Sequence, residues 1–235
     1  MDAFVTDLNN ALKGVHQDYV QYRNIRGLKD GVDIANQDFF RQDLSQEYVD
    51  NSLLTFLENQ KETQEKSLEA VFCYELYHSW KKLIQSQAGR YKDLILNGEI
   101  GKMNLANVIA NYEQFKQSDL YREINPLGLL EQKQFFPDFT LHGGNNDTAN
   151  QKLIVEVKTN KNITPNNFKI DFYRLNIFKK LYGFDNVVFI IINIKIKNLL
   201  DLLENVNIDL VDKEHFYFML KTPGDNYCFK LGDIK

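Results

Sequence analysis

The chain has 235 residues, 43% apolar and 26% charged, with 17 Phe and 12 Tyr, enough for one large soluble domain with a sizeable core. Its net charge of −4 and pI near 5.6 set it apart from small basic DNA-binding modules, although a bound metal and a local basic patch can offset an acidic average. Cys73 and Cys228 form neither a disulfide framework nor a zinc spacing; the opening MDAFVTDLNN lacks an apolar signal core, and the longest apolar run, 187–194, is too short to span a membrane, so a cytoplasmic location is expected.

In chain order, residues 1–62 read as an amphipathic helical region packed on the core. Leu8, Leu12 and Val15 recur at helical spacing, Leu28 to Gly31 reads as a break, and Leu53, Leu54, Phe56 and Leu57 mark a second helix. The polar run 58–66 is either a linker or a solvated helical face, and residues 63–235 are expected to form the main domain. Ser67 is expected to cap a helix reaching Gln87, with Val71, Phe72, Glu75 and Ser79 on one face.

Residues 93–100 read as a strand or hairpin and 102–118 as a helical insertion. Gln134 to Leu141 is a second strand, and the glycine- and asparagine-rich run 142–151 is a turn. Leu153 to Thr159 is a third strand, Asn166 to Tyr182 an amphipathic helix closed by Gly183, and Val187 to Ile196 a buried apolar strand. A short helix near 199–205 precedes a C-terminal β-hairpin turning at Pro223-Gly224-Asp225. Helix, three strands, helix, strand implies an α/β fold with a mixed central sheet and a right-handed crossover.

Side chains alternate along a strand, so Ile154, Glu156 and Lys158 share one face of the third strand, and Phe136, Asp138 and Thr140 share one face of the second. If the two strands pair through the 142–151 turn, Asp138 approaches Glu156, and two hard oxygen ligands suit Mg²⁺ or Mn²⁺. Pro137-Asp138 followed by Glu156-Val157-Lys158 resembles the PD-(D/E)XK nuclease superfamily, over roughly residues 67–196. The resemblance implies a restriction-endonuclease-like αβββαβ core, with the N-terminal helical region and the C-terminal hairpin added to it. It makes Asp138 and Glu156 metal ligands, Lys158 the catalytic lysine, and the Val157 carbonyl a further ligand.

Many members also carry an acidic residue on the first core helix, for which Glu75 is the candidate; Glu99 is a rival from the first strand. Arg174 and Lys161 are candidates for phosphate contact, although Asp171, Arg174 and Lys179 also read as solvated helix charges. His78 could support Glu75 and His142 adjoins the site in sequence, but none of the four histidines has paired metal spacing. The expected activity is Mg²⁺-dependent hydrolysis of nucleic acid, DNA in the first instance, in defence, restriction or repair. The alternatives are a non-catalytic nucleic-acid- or protein-binding module that keeps the fold, and an interaction module with a coincidental motif. Homodimerisation would supply the two sites that a nuclease of this kind needs to cut both strands at once, and a protein partner held by the N-terminal helices belongs to the interaction-module reading.

Overall fold

A computed structural model describes residues 1–20, 51–98, 105–130, 137–144, 147, 149–159 and 163–234. The first helix, α1 (Ala3–Gly14), starts where the Asp2 carboxylate accepts the N–H groups of Phe4 and Val5, at 2.8 and 3.2 Å. Val5, Leu8, Ala11 and Leu12 form its buried stripe. The second helix, α2 (Asn51–Ser86), is continuous for 36 residues. Ser67 therefore lies inside it rather than at its cap, the polar run 58–66 is helical, and the division expected at 62/63 falls within the helix. The break expected at residues 28–31 lies outside the described residues, as do Gln134 to Phe136.

A six-stranded sheet follows, with strands in sequence order: β1 (Ile95–Gly98), β2 (Phe139–His142), β3 (Gln151–Lys158), β4 (Asn186–Ile192), β5 (Phe216–Lys221) and β6 (Asn226–Lys230). β1, β2 and β3 pair antiparallel, β3, β4 and β5 parallel, and β5 and β6 as an antiparallel hairpin. Helices α3 (Leu105–Lys116) and α4 (Asp119–Ile124) connect β1 to β2; α4 was not anticipated from the sequence. The parallel pairs need crossovers, supplied by α5 (Pro165–Tyr182) and α6 (Ile196–Leu203).

All seven residues of β4 are buried, because the strand is central and covered on both faces. On one face, α5 sets Phe168 and Phe172 against the sheet, with Phe168 stacked on Phe189 at 5.6 Å and on Phe218 at 6.4 Å. Each fully buried aromatic there contributes about 1.5–3 kcal/mol. On the other face, α1 and α2 bring Leu8, Leu12, Phe72, Leu76 and Trp80 onto Leu153, Val155 and Val157. Thr164 caps the start of α5 by accepting the Asn167 N–H at 3.2 Å, and Gly183 ends it in the left-handed region at φ 73°.

Candidate active site

The alternation of β3 decides which groups meet. Leu153, Val155 and Val157 turn toward α1 and α2, while Ile154 faces α5. Glu156 and Lys158 share the Ile154 face and so point toward α5 at the carboxyl end of the strand. Phe139 pairs with Val155, so continuing that register sets Asp138 opposite Glu156. Asp138 precedes the first residue of β2, and its Oδ2 accepts the Val157 N–H at 2.6 Å. A carboxylate thus takes the place of a ladder carbonyl and is fixed at the strand end.

Lys158 Nζ donates to Glu156 Oε1 at 2.6 Å and lies 3.5 Å from Asp171 Oδ2. Asp171 is buried on α5, and its Oδ1 stands 3.6 Å from the Arg174 guanidinium. From the other layer, Glu69 of α2 reaches the end of β3, accepting the Thr159 N–H at 3.3 Å and its hydroxyl at 3.4 Å. The strand end therefore gathers Asp138, Glu156, Asp171 and Glu69 around Lys158, with Arg174 at the margin.

Burial drives the Glu156 carboxyl up to about 8; the Asp138 charge adds to the rise, Lys158 opposes it and Asp171 adds again. Burial by itself would lower the Lys158 ammonium, but Glu156, Asp171 and Glu69 outweigh it, and the net shift is upward. Glu156 Oε2 is buried and has no hydrogen-bond partner, which is costly for a carboxylate oxygen. Among the described residues, no group of three or more His, Cys, Asp or Glu side chains is disposed to hold a metal alone. Asp138 and Glu156 are nevertheless the two carboxylates that could hold a hard divalent cation, because the orphaned Oε2 and the surplus of carboxylates over cations both favour added positive charge.

The other residues singled out from the sequence divide between the strand end and the rest of the fold. Glu75 is six residues beyond Glu69 on α2 and half-buried, whereas Glu69, Phe72, Cys73, Leu76 and Trp80 follow one stripe toward the sheet. Glu69 is thus the helix carboxylate that reaches the strand end. Val157 lends its N–H to Asp138. Asp171, read as a solvated charge, is buried at the site, and its place between Phe168 and Phe172 on the apolar side of α5 was the available signal. Lys179 Nζ donates to the carbonyls of Phe184 and Asp185, just past the end of α5. Lys161 and Glu99 lie outside the described residues.

His142 is buried at the far end of β2 from Asp138, where its Nδ1 accepts the Gly144 N–H at 2.9 Å and its Nε2 lies 2.8 Å from the Asn97 amide. His78 is exposed. A cleft of about 760 Å³ opens at the opposite end of the parallel strands, beside Asn186 and Tyr217. Within its lining Lys179 and His215 pair with Asp212, and Lys230 pairs with Glu214. No helix among the described residues is long and apolar enough to cross a membrane. Comparisons with known protein families, with curated proteins and with solved structures find no match.

Proposed function

We propose that the protein is a divalent-metal-dependent nuclease with a restriction-endonuclease-like core, which hydrolyses phosphodiester bonds of nucleic acid, DNA in the first instance. The observation that carries this reading is the convergence of Asp138, Glu156 and Lys158 at one strand end, where the buried Glu156 retains an unsatisfied oxygen. The element order supports it: from Asn51 to Ile192 run a helix, three antiparallel strands with α3 and α4 inserted between the first two, a crossover helix and a parallel strand. So does location, since ligands of open α/β sheets bind outside the carboxyl ends of parallel strands.

In this reading Asp138 and Glu156 hold Mg²⁺ or Mn²⁺, and Glu69 accompanies them from α2 in the role expected of Glu75. A bound divalent cation supplies a more acidic water and a polarised phosphate. Asp138 is held in place by the Val157 N–H, so its carboxylate is oriented before any ligand arrives. Lys158 faces the same space and offsets negative charge that builds on the phosphate oxygens. The non-catalytic alternative keeps the same groups and predicts binding without turnover.

The deciding experiment is cleavage of single- and double-stranded DNA and RNA with Mg²⁺, Mn²⁺ or EDTA, alongside identically purified Lys158→Ala and Asp138→Ala. The expected result is metal-dependent cutting by the wild type alone. Equal cutting by the variants would overturn the assignment, and binding without cutting would favour the alternative.

A further inference from the structure

We propose that Asp171 is a positioning residue that anchors Lys158 and Arg174 side by side as a cationic pair for substrate phosphate. The proposal rests on the nuclease reading above for the identity of the substrate, but the anchoring itself does not.

Three observations carry it. Asp171 is a buried carboxylate, its side chain 12% exposed, and it divides its oxygens between two cations: Oδ2 lies 3.5 Å from Lys158 Nζ and Oδ1 lies 3.6 Å from the Arg174 guanidinium. Arg174 and Asp171 are three residues apart on α5, so helix geometry holds them on one side. Lys158 Nζ has a closer partner in Glu156 Oε1, at 2.6 Å, and Glu156 is also one of the two carboxylates suited to a metal.

These facts create a conflict that Asp171 resolves. A carboxylate oxygen committed to a cation attracts an ammonium less strongly. If Glu156 turns its charge to a metal, Lys158 loses its main anchor. A lysine on a four-carbon stem with no second anchor would swing toward solvent. Asp171 supplies that second anchor from a different element, fixed by the packing of Phe168 and Phe172 against the sheet. The same carboxylate holds Arg174, whose planar guanidinium suits phosphate oxygens. Burial keeps solvent from screening these interactions, so each is worth more than an exposed ion pair.

The test labels Lys158 with acetic anhydride and quantifies its modification by mass spectrometry in metal-free protein. Glu156→Gln removes the first anchor's capacity to carry charge and imitates its commitment elsewhere. In that variant Asp171 is expected to keep Lys158 protected to within about twofold of wild type. Adding Asp171→Asn should expose Lys158 and raise its labelling roughly tenfold, as the loss of about 1.4 kcal/mol of anchoring would. Adding Asp171→Glu instead, which retains the charge, should restore part of the protection. Thermal melting verifies that each variant is folded. Equal labelling of Glu156→Gln with and without Asp171→Asn would overturn the proposal.

A second arm reads cleavage and Mn²⁺ binding by calorimetry. Asp171→Asn should lower kcat by about 10–100-fold while leaving the Mn²⁺ affinity near wild type. Loss of Mn²⁺ affinity equal to that of Glu156→Gln would make Asp171 a metal ligand and overturn the positioning role. Protection of Lys158 by Asp171 in a protein that neither binds Mn²⁺ nor cuts nucleic acid would sink the nuclease reading and leave the anchor standing.

Discussion

At the level of single residues, the site depends on which carboxylates reach the end of β3. Asp138, Glu156 and Lys158 were legible from the chain because strand alternation is local: a period of two places Glu156 and Lys158 together whatever the rest of the molecule does. The helix carboxylate was not legible in the same way. Glu75 follows Val71 and Phe72 closely in sequence, yet the side of a 36-residue helix that meets the sheet is chosen by packing. Phe72, Leu76 and Trp80 are fully buried, and the stripe they define passes back through Glu69. The prediction that separates the two is direct. Glu69→Gln should reduce metal-dependent cleavage by about 10–100-fold, because it weakens the hold on Thr159 beside Lys158 and removes a carboxylate from the cluster. Glu75→Gln should cut at the wild-type rate. A reversed pattern in parallel rate measurements would return the role to Glu75. Asp171 reads as a solvated charge for a related reason: its place between Phe168 and Phe172 hints at burial, but only the docking of the crossover helix decides which side of α5 meets the sheet.

Among the elements, the sheet and α5 were readable because strong local signals bound them. Thr164 and Gly183 delimit α5, and the continuous apolar run of β4 identifies a strand covered on both faces. Ala at Gly183 must adopt φ 73°, so Gly183→Ala should cost about 1 kcal/mol in chemical denaturation with no change in the slope. The length of α2 was hidden, because the polar run 58–66 has no apolar stripe and helix continuity there leaves no local trace. What fixes α1 to α2 was hidden as well. Asp7, buried on α1, accepts from Arg90 at 2.6 Å and from the Tyr91 hydroxyl at 2.9 Å, just beyond the end of α2. Ser79 Oγ adds a bond to the Ala11 carbonyl at 2.8 Å. These partners lie about 70 to 80 residues apart in sequence, so no local pattern announces them. Asp7→Ala leaves a buried phenol without its acceptor and should destabilise the protein by about 2–3 kcal/mol, the part due to the half-exposed Arg90 being small. A loss under 0.5 kcal/mol in the same denaturation series would mean that α1 is held by its apolar stripe alone.

For the whole molecule, stability and the proposed metal binding meet at Glu156. Its carboxyl titrates near 8 in the folded protein, well above its ordinary range, because it is buried beside Asp138 and Asp171. Between the unfolded and folded values the native state binds more protons than the unfolded chain, so unfolding free energy falls as pH rises. The stabilising contribution is complete below about pH 4.5 and is lost as pH climbs through about 8. Asp147 and Asp212 titrate below their usual range, Asp147 chiefly through its bond from Asn150 and Asp212 through Lys179 and His215 against the pull of burial. Their contributions are lost only in acid, as pH falls below the ordinary carboxylate range, so they do not offset the Glu156 trend between pH 5 and 8. In EDTA, the melting temperature should therefore decline from pH 5 to pH 8, and Glu156→Gln should flatten that decline. On the proposed metal reading a divalent cation should invert the trend, since a cation held by the ionised carboxylate would stabilise the fold by mass action, by about 2.7 kcal/mol at one hundred times its Kd. Proton and metal compete for the same oxygens, so Mn²⁺ should raise the melting temperature more at pH 8 than at pH 6 in the wild type and at neither pH in Glu156→Gln. A Mn²⁺ increment that is independent of pH would place the cation away from Glu156. With it would go the reason for this fold to keep an unsatisfied carboxylate oxygen in its interior.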